Sequence, residues 1–430
     1  MSLTFTIEGG KTLKGSIDAN GSKNAALALL AATLATTEKC RLSNVPDVED
    51  VRKMIVILKS LGVSVSQIGK NELEIQAKDI DPSKIDEKAM SEIRASIMLV
   101  GALASRIDEF SIVAPGGCLI GSRPIDAHIE GLKDLGFSVS SDKEKILFKK
   151  EKDGKDEITL TEISITATIS IMIACSQMNK PVTLFCAAED YPVVETGRLL
   201  TLFGVKIDGL GTHTITITGK QKLKGASYRV MPDPIEAGTW MALAAATRSE
   251  LIVKNVVPDF MRFELQTFAR AGIVMHAQNT RHDELHSYSI VDFKITPTGK
   301  LHALKRIHNM PAPGFMPDLI PPLSVLLTQA HGTSLIHDWM YEGRLRYITE
   351  LVKMGASAKI LNPHQAIIIG PTPLYGKRIT SFDLRAGATL IIAALTATGV
   401  STIDNIYQVD RGYEAIDKRL EAIGASIKRT

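Results

Sequence analysis

Six copies of one short pattern govern what this chain can fold into. A bulky apolar residue, three residues, a glycine and a strand-like stretch recur at Leu58–Gly62, Leu132–Gly136, Leu200–Gly204, Phe268–Gly272, Leu351–Gly355 and Leu420–Gly424. The steps between the glycines are 74, 68, 68, 83 and 69 residues. Each glycine closes a helix-period segment and opens an alternating one, such as Val63-Ser64-Val65 or Ile207-Asp208. A helix that stops at a left-handed glycine and turns into a strand leaves this signature.

A second pattern keeps step with the first. Stretches of Ala, Leu, Ile, Thr and Ser, such as Ala25–Thr36, Ala95–Ser105, Thr239–Thr247 and Ala388–Thr398, precede strands such as Arg41–Val45, Ser111–Ala114, Leu251–Asn255 and Thr402–Ile406. A helix apolar on all sides is buried on all sides. Small side chains let such helices approach closely, so a chain that is 45% hydrophobic needs only 5% aromatic residues. The second helices, such as Glu49–Ser60 and Tyr413–Ala422, carry more charge and are expected further out. The unit is buried helix, strand, loop, outer helix, glycine stop and strand, an α/β pattern of about 72 residues. A unit that small cannot bury both helix faces alone, so three per domain and two domains are expected. The break falls near Met231-Pro232-Asp233-Pro234.

Composition removes other classes. Fifty Lys and Arg against 47 Asp and Glu, with no long basic run, leave no footprint for nucleic acid. No apolar run reaches the roughly 18 residues a membrane span requires. The N-terminal residues around Lys11 and Lys14 lack a signal-peptide core. Four cysteines without metal or disulfide spacing fit a reducing, cytoplasmic compartment.

The repeat makes equivalent positions comparable. The buried helices begin at Lys23, Arg94, Thr166, Glu236, Asp318 and Arg385, lying 39, 42, 38, 36, 37 and 39 residues before their stop glycines. A cation at a helix start opposes the macrodipole, so three of them there point to an anion between converging N-termini. The loop after the first strand forms a second set. It reads Pro115-Gly116-Gly117-Cys118-Leu119-Ile120-Gly121-Ser122-Arg123-Pro124 in the second unit, Glu342-Gly343-Arg344 in the fifth and Asp410-Arg411-Gly412-Tyr413 in the sixth. Three glycines around Cys118 suit a closing loop, and nearby Arg123 favours a thiolate, so Cys118 is expected to be reactive. Cys40, Cys175 and Cys186 sit in or beside apolar patterns and are expected to be structural. His282, His286, His302 and His308 lack a metal-site context, and neither a GxGxxG before a helix nor a Walker A lysine occurs.

At these residues the chain resembles the enolpyruvyl transferase family over essentially its whole length. The matching stretches are Gly21-Ser22-Lys23-Asn24-Ala25-Ala26, Arg94-Ala95-Ser96-Ile97, the Cys118 loop through Arg123-Pro124-Ile125-Asp126-Ala127-His128, Asp383-Leu384-Arg385-Ala386 and Asp410-Arg411-Gly412-Tyr413-Glu414. The UDP-N-acetylglucosamine enolpyruvyl transferases look more similar than the EPSP synthases around the cysteine loop. The resemblance implies two inside-out α/β barrel domains, each of three units with buried helices and outer sheets. It places residues 23–231 in one lobe, 1–22 and 232–430 in the other, and the active site in the cleft.

The implied reaction moves the enolpyruvyl group of phosphoenolpyruvate to the 3-hydroxyl of UDP-N-acetylglucosamine and releases phosphate. By resemblance, Lys23, Arg123 and Arg411 hold the phosphate, with Arg344 and Arg385 completing the cationic cluster. Arg suits planar oxyanions because its fork donates two parallel hydrogen bonds. Cys118 matches the proton donor or adduct former, Asp318 the acid that meets the attacking hydroxyl, and Asp383 a second acid that assists proton movement; Lys23 is also counted as catalytic. Asn24, Arg94, Arg123, Pro124, Ile125, Asp126, His128, Ser164, Ile165, Thr166, Asp318 and Met340 match the sugar-nucleotide side. No metal or redox cofactor is implied.

The nucleotide end departs from the family pattern. Glu162 stands where a lysine is usual, Thr166 where a glycine is, and Pro234 where an arginine is common. A carboxylate replacing a cation beside a diphosphate costs roughly 1–3 kcal/mol when partly buried. The readings are a compensated member of the sugar-nucleotide group, a paralogue with another nucleotide or alcohol acceptor, and a weakly catalytic sugar-nucleotide-binding regulator.

Overall fold

A computed structural model describes residues 3–116, 121, 123–142, 145–297 and 299–430. All six stop glycines are left-handed, with φ of 90°, 92°, 106°, 90°, 106° and 96° along the chain. A side chain there would clash with its own backbone, so glycine is the residue that lets the helix end and the strand begin. The strands Ser64–Gly69, Phe137–Asp142, Lys206–Asp208, Val274–Asp283, Ser357–Asn362 and Ser426–Arg429 follow the six stops.

Six sheets follow the six units. In five of them, the strand after the buried helix lies between a short parallel strand and an antiparallel return strand, and the strand after the stop glycine is outermost. Among the described residues, the sheet of Glu109–Val113, Lys145–Lys150 and Phe137–Asp142 has three strands and no parallel partner. Short helices at Pro82–Lys84 and Glu87–Glu92 lie against Glu109–Val113 instead.

The chain divides into two units, 21–116 with 123–231, and 3–20 with 232–430. In the second unit the helices Pro234–Ala246, Ile320–Thr328 and Leu384–Thr396 pack on one another and are buried almost throughout. Each fully buried Leu or Ile contributes about 2 kcal/mol of hydrophobic stabilisation. The first unit is less regular. Its second buried segment splits into a 3-10 turn, Arg94–Ile97, and a helix, Met98–Ala104. Its third outer helix, Tyr191–Phe203, lies between Lys23–Ala32 and Ile165–Cys175 and is largely buried, contrary to the expectation that second helices lie further out. The sixth outer helix is shorter than expected, Ile416–Glu421, after a left-handed Ala415.

Two strands are exchanged between the first and fourth repeats, each within its own unit. Lys14–Asp18, which precedes the first repeat, pairs in parallel with Glu250–Val256 of the fourth. Ser227–Arg229, which precedes the fourth, pairs with Cys40–Ser43 of the first. Thr4–Glu8 serves as the return strand of the sixth sheet, between Val400–Asp404 and Ser426–Arg429.

The parallel pairs share a polar clasp. Asn44, Asn255 and Asn405 are left-handed, φ 56°, 61° and 60°; Asn44 and Asn405 follow the first strands of units one and six, and Asn255 lies at the bulge near the end of Glu250–Val256. Their Nδ2 groups donate to the Val230 carbonyl at 2.8 Å, Asp18 Oδ1 at 3.1 Å and the Ser381 carbonyl at 2.8 Å, each at the end of the parallel strand. In unit five the amide is on the other strand, Asn309 donating to Asp338 Oδ1 at 2.7 Å. In unit three the left-handed position is Cys186, φ 58°, and it is exposed. This corrects the sequence expectation of a structural thiol; Cys40 and Cys175 are buried, but Cys186 occupies a turn position that asparagine fills best. The Leu160 amide bonds the Phe185 carbonyl at 3.2 Å, as Ser381 bonds Asp404, so the Leu160 carbonyl is the acceptor in reach of an amide at 186. Cys186→Asn should therefore raise the unfolding free energy in urea by about 1 kcal/mol, the net worth of one hydrogen bond plus a better left-handed residue.

Candidate active site

In the second unit the site is built on helix starts. Asp383 caps the helix Leu384–Thr396, its Oδ1 accepting from the Arg385 and Ala386 amides at 2.8 and 3.0 Å. That cap places Arg385 in the first turn, where its charge opposes the dipole. Its side chain turns to Asp318, in the 3-10 turn Pro317–Leu319, with Nε donating to Oδ2 at 2.8 Å. Arg344, in the turn Arg344–Arg346, donates from Nη2 to Oδ1 of the same carboxylate at 2.6 Å. Both arginines are about 5% exposed or less. Burial alone would raise the Asp318 pKa, but the Arg385 and Arg344 charges overcome it and hold this carboxyl well below the usual range. Burial works against the charged form of Arg344 too, and Asp318 more than restores it.

The triad has one carboxylate for two cations. Arg344 Nε and Nη1 are buried and have no acceptor among the described residues. Buried donors without acceptors are costly, about 1–3 kcal/mol each. Such a group is suited to a further anion.

Arg411 is 8% exposed and lies just after the short helix Tyr407–Asp410, with Nη1 donating to Gln408 at 3.3 Å. Asp410 is thus helical rather than in a loop, and Arg429 holds it with two hydrogen bonds of 2.8 Å. Met340 lies in the loop gathered by Asp338, whose Oδ1 accepts from the Met340 and Tyr341 amides at 3.1 and 2.9 Å.

The first unit carries two groups. Lys23 is the first residue of its helix after Ser22, and Nζ donates to Asp50 Oδ2 at 3.1 Å. Asn24 Nδ2 reaches the Tyr191 hydroxyl at 3.5 Å. The second group joins three segments. Arg94 Nη2 donates to the Pro124 carbonyl at 2.8 Å, and His128 Nε2 meets Thr166 Oγ1 at 3.0 Å. Ser164 caps the helix Ile165–Cys175, so Thr166 lies in its first turn. Burial pushes the His128 pKa down to about 3, with Arg94 adding to the effect, so this imidazole is neutral at pH 7. Pro124 and Asp126 are exposed, Arg123 and Ile125 half-buried. Cys118 lies outside the described residues.

The cations at helix starts have partners within the chain. Lys23 has Asp50, Arg385 has Asp318, and Arg94 turns to a carbonyl. A ligand anion is therefore not what stabilises them at rest. Asp50 and Tyr191 were missed in the sequence because an acid opening the helix Glu49–Ser60 and an aromatic opening Tyr191–Phe203 look like ordinary helix residues. Among the described residues no three His, Cys, Asp or Glu gather to hold a metal ion, and no helix is long and apolar enough to cross a membrane.

A profile of the EPSP synthase (3-phosphoshikimate 1-carboxyvinyltransferase) family matches residues 7–420. The chain belongs to this family. Family members named UDP-N-acetylglucosamine 1-carboxyvinyltransferase are similar from end to end. The one from Treponema denticola is 37% identical over 426 residues, covering 99% of this chain and 98% of its own. One from Carboxydothermus hydrogenoformans is 38% identical with the same coverage. Among solved structures, the enolpyruvyl transferase NikO from Streptomyces tendae superposes with a TM-score of 0.87 at 20% identity, covering 100% of this chain and 99% of its own. An EPSP synthase from Acinetobacter baumannii gives 0.75 at 18% identity, with both chains covered in full. The two-domain α/β fold expected from the repeat is the fold of this family.

Proposed function

We propose that the chain transfers the enolpyruvyl group of phosphoenolpyruvate to the 3-hydroxyl of UDP-N-acetylglucosamine, releasing phosphate, the first committed step of peptidoglycan synthesis. The observation that carries this reading is the Arg344–Asp318–Arg385 triad, which has buried donors left for an anion. The end-to-end likeness to UDP-N-acetylglucosamine 1-carboxyvinyltransferases supports the acceptor.

In this reading Arg344 and Arg385 take planar oxygens of phosphoenolpyruvate, while Lys23, Arg123 and Arg411 serve the phosphate. A bound anion neutralises part of the charge of the two guanidinium groups and so restores the strength of Asp318 as a base. Asp318 then accepts the proton of the sugar hydroxyl as its oxygen bonds the central enol carbon. Cys118 delivers a proton to the methylene carbon. Loss of a methyl proton, with Asp383 or Cys118 accepting it, expels phosphate and regenerates the double bond. The lobes on this reading are 23–231 and 1–22 with 232–430. Asn24, Arg94, Pro124, Ile125, Asp126, His128, Ser164, Ile165, Thr166 and Met340 serve the sugar nucleotide.

The deciding experiment measures phosphate release from phosphoenolpyruvate with UDP-N-acetylglucosamine, for wild type and Cys118→Ala. Turnover in the wild type and its loss in the variant is the expected result. Turnover only with a different alcohol would make the chain a paralogue, and tight sugar-nucleotide binding without any turnover would make it a regulator. Glu162 is exposed, which shrinks the electrostatic penalty inferred for it. Glu162→Lys should lower the KM for the sugar nucleotide by no more than about fivefold, the range of a solvated charge pair.

A further inference from the structure

We infer that Tyr413, backed by Thr239, is the positioning residue of the anion site, fixing Arg385 so that one side of its guanidinium stays on Asp318. The inference rests on the reading of Arg385 as an anion-binding residue. Three side chains form a line from the helix Pro234–Ala246 to the triad. Thr239 Oγ1 donates to the Ile235 carbonyl at 2.7 Å. The same Oγ1 lies 3.1 Å from the Tyr413 hydroxyl oxygen, which lies 3.2 Å from Arg385 Nη1.

Hydrogen-bond chemistry fixes the direction of the whole line. A guanidinium only donates, and the Thr239 proton is already spent on a carbonyl. So Arg385 donates to the Tyr413 oxygen, Tyr413 donates to Thr239, and Thr239 donates to the backbone. Each member is buried: Arg385 is 4% exposed, Tyr413 1% and Thr239 0%. Reversing any link would leave a buried donor facing a donor.

The ring is fixed as well as the hydroxyl. Tyr413 meets Trp240 edge to face at 6.1 Å and 66°, and Arg385 Cζ lies 5.5 Å from its ring centre. Behind Trp240 stands Arg419, itself paired with Glu236. Burial raises the phenol's pKa and Arg385 only partly offsets this, so the proton that the line requires is present at neutral pH. Two of the three Arg385 nitrogens are thus committed within the protein, Nε to Asp318 and Nη1 to Tyr413. Without the phenol oxygen the guanidinium is free to rotate off the orientation in which a planar anion meets it.

Two measurements test this: binding of phosphoenolpyruvate by calorimetry, and KM for each substrate. Tyr413→Phe keeps the ring against Trp240 and removes only the link. It should weaken phosphoenolpyruvate binding and raise its KM about tenfold, the worth of one charge-assisted hydrogen bond, with the sugar-nucleotide KM within about twofold of wild type. Thr239→Val should act in the same direction and less. In an Arg385→Lys background the Tyr413→Phe change should add less than about twofold, because the group it acts through is gone. Equal changes in both KM values, an undiminished effect in the Arg385→Lys background, or unaltered binding in Tyr413→Phe would overturn the inference. If the wild type binds phosphoenolpyruvate and Tyr413→Phe binds it weakly, yet no acceptor is turned over, the proposed function fails and the positioning role stands.

Discussion

Asp318→Asn is expected to lower kcat by about a thousandfold or more and to destabilise the chain by about 3 kcal/mol. The first effect follows from removing the carboxylate that both arginines hold, the general base of the proposed reaction. The second follows from chemistry at both oxygens. Asparagine presents one acceptor and one amide donor, so either Arg344 Nη2 or Arg385 Nε comes to face N–H groups. Breaking a buried ion pair from one side costs about 3–5 kcal/mol, and the partial exposure of Asp318 places the effect at the low end. Because the folded-state pKa is depressed, the stabilisation is present above the unfolded pKa, about 3.9, and lost as pH falls below it. The stability difference between wild type and variant should hold from pH 7 to pH 5 and close only below about pH 4. Inorganic phosphate should recover more stability in the variant than in the wild type, since it offers the missing acceptors. Urea midpoints at several pH values, with and without phosphate, check all three statements.

Gly101→Ala is expected to be as damaging with no ionisable group involved. Gly101 lies in the helix Met98–Ala104 where it crosses Ile165–Cys175. A β-carbon there would stand 2.5 Å from the Ser170 Cα and closer still to its carbonyl oxygen. The obstacle is the backbone of a buried helix, which cannot turn aside as a side chain can. Forcing a methyl group into a packed core costs about 1–3 kcal/mol and occasionally more; a backbone collision belongs at the upper end. Gly299→Ala, where a β-carbon meets nothing within 4 Å, is the control and should leave the thermal midpoint unchanged.

How much of this was legible follows from what each feature demands of local sequence. A left-handed helix stop requires glycine and is followed at once by an alternating strand, so all six are readable. A buried helix requires small and apolar residues on every face, which is readable too. The Arg344–Asp318–Arg385 triad is not, because its members lie 26 and 67 residues apart and each is an ordinary charged residue in its own segment. The repeat set Asp318 and Arg385 at equivalent helix starts, and the resemblance added Arg344 to the cationic cluster. The clasps escaped notice because asparagine in a turn is common, and the partner strand that gives it meaning is more than a dozen residues away in every case. Tyr191–Phe203 departs from the expected outer position because its largely apolar surface packs against Lys23–Ala32 and Ile165–Cys175.

The place of Thr4–Glu8 in the sixth sheet has a consequence for how the molecule is made. These residues leave the ribosome on the order of 400 residues ahead of Val400–Asp404 and Ser426–Arg429, the strands on either side of them. At 5–20 residues per second, that is a wait of roughly 20 to 80 s. Phe5 and Ile7, fully buried at the end, spend that time without their partners. The unit of 21–231 has no such debt, since its exchanged strand Ser227–Arg229 arrives with its own last residues. It can mature during translation, while its companion holds an open sheet until the final turn of synthesis closes it.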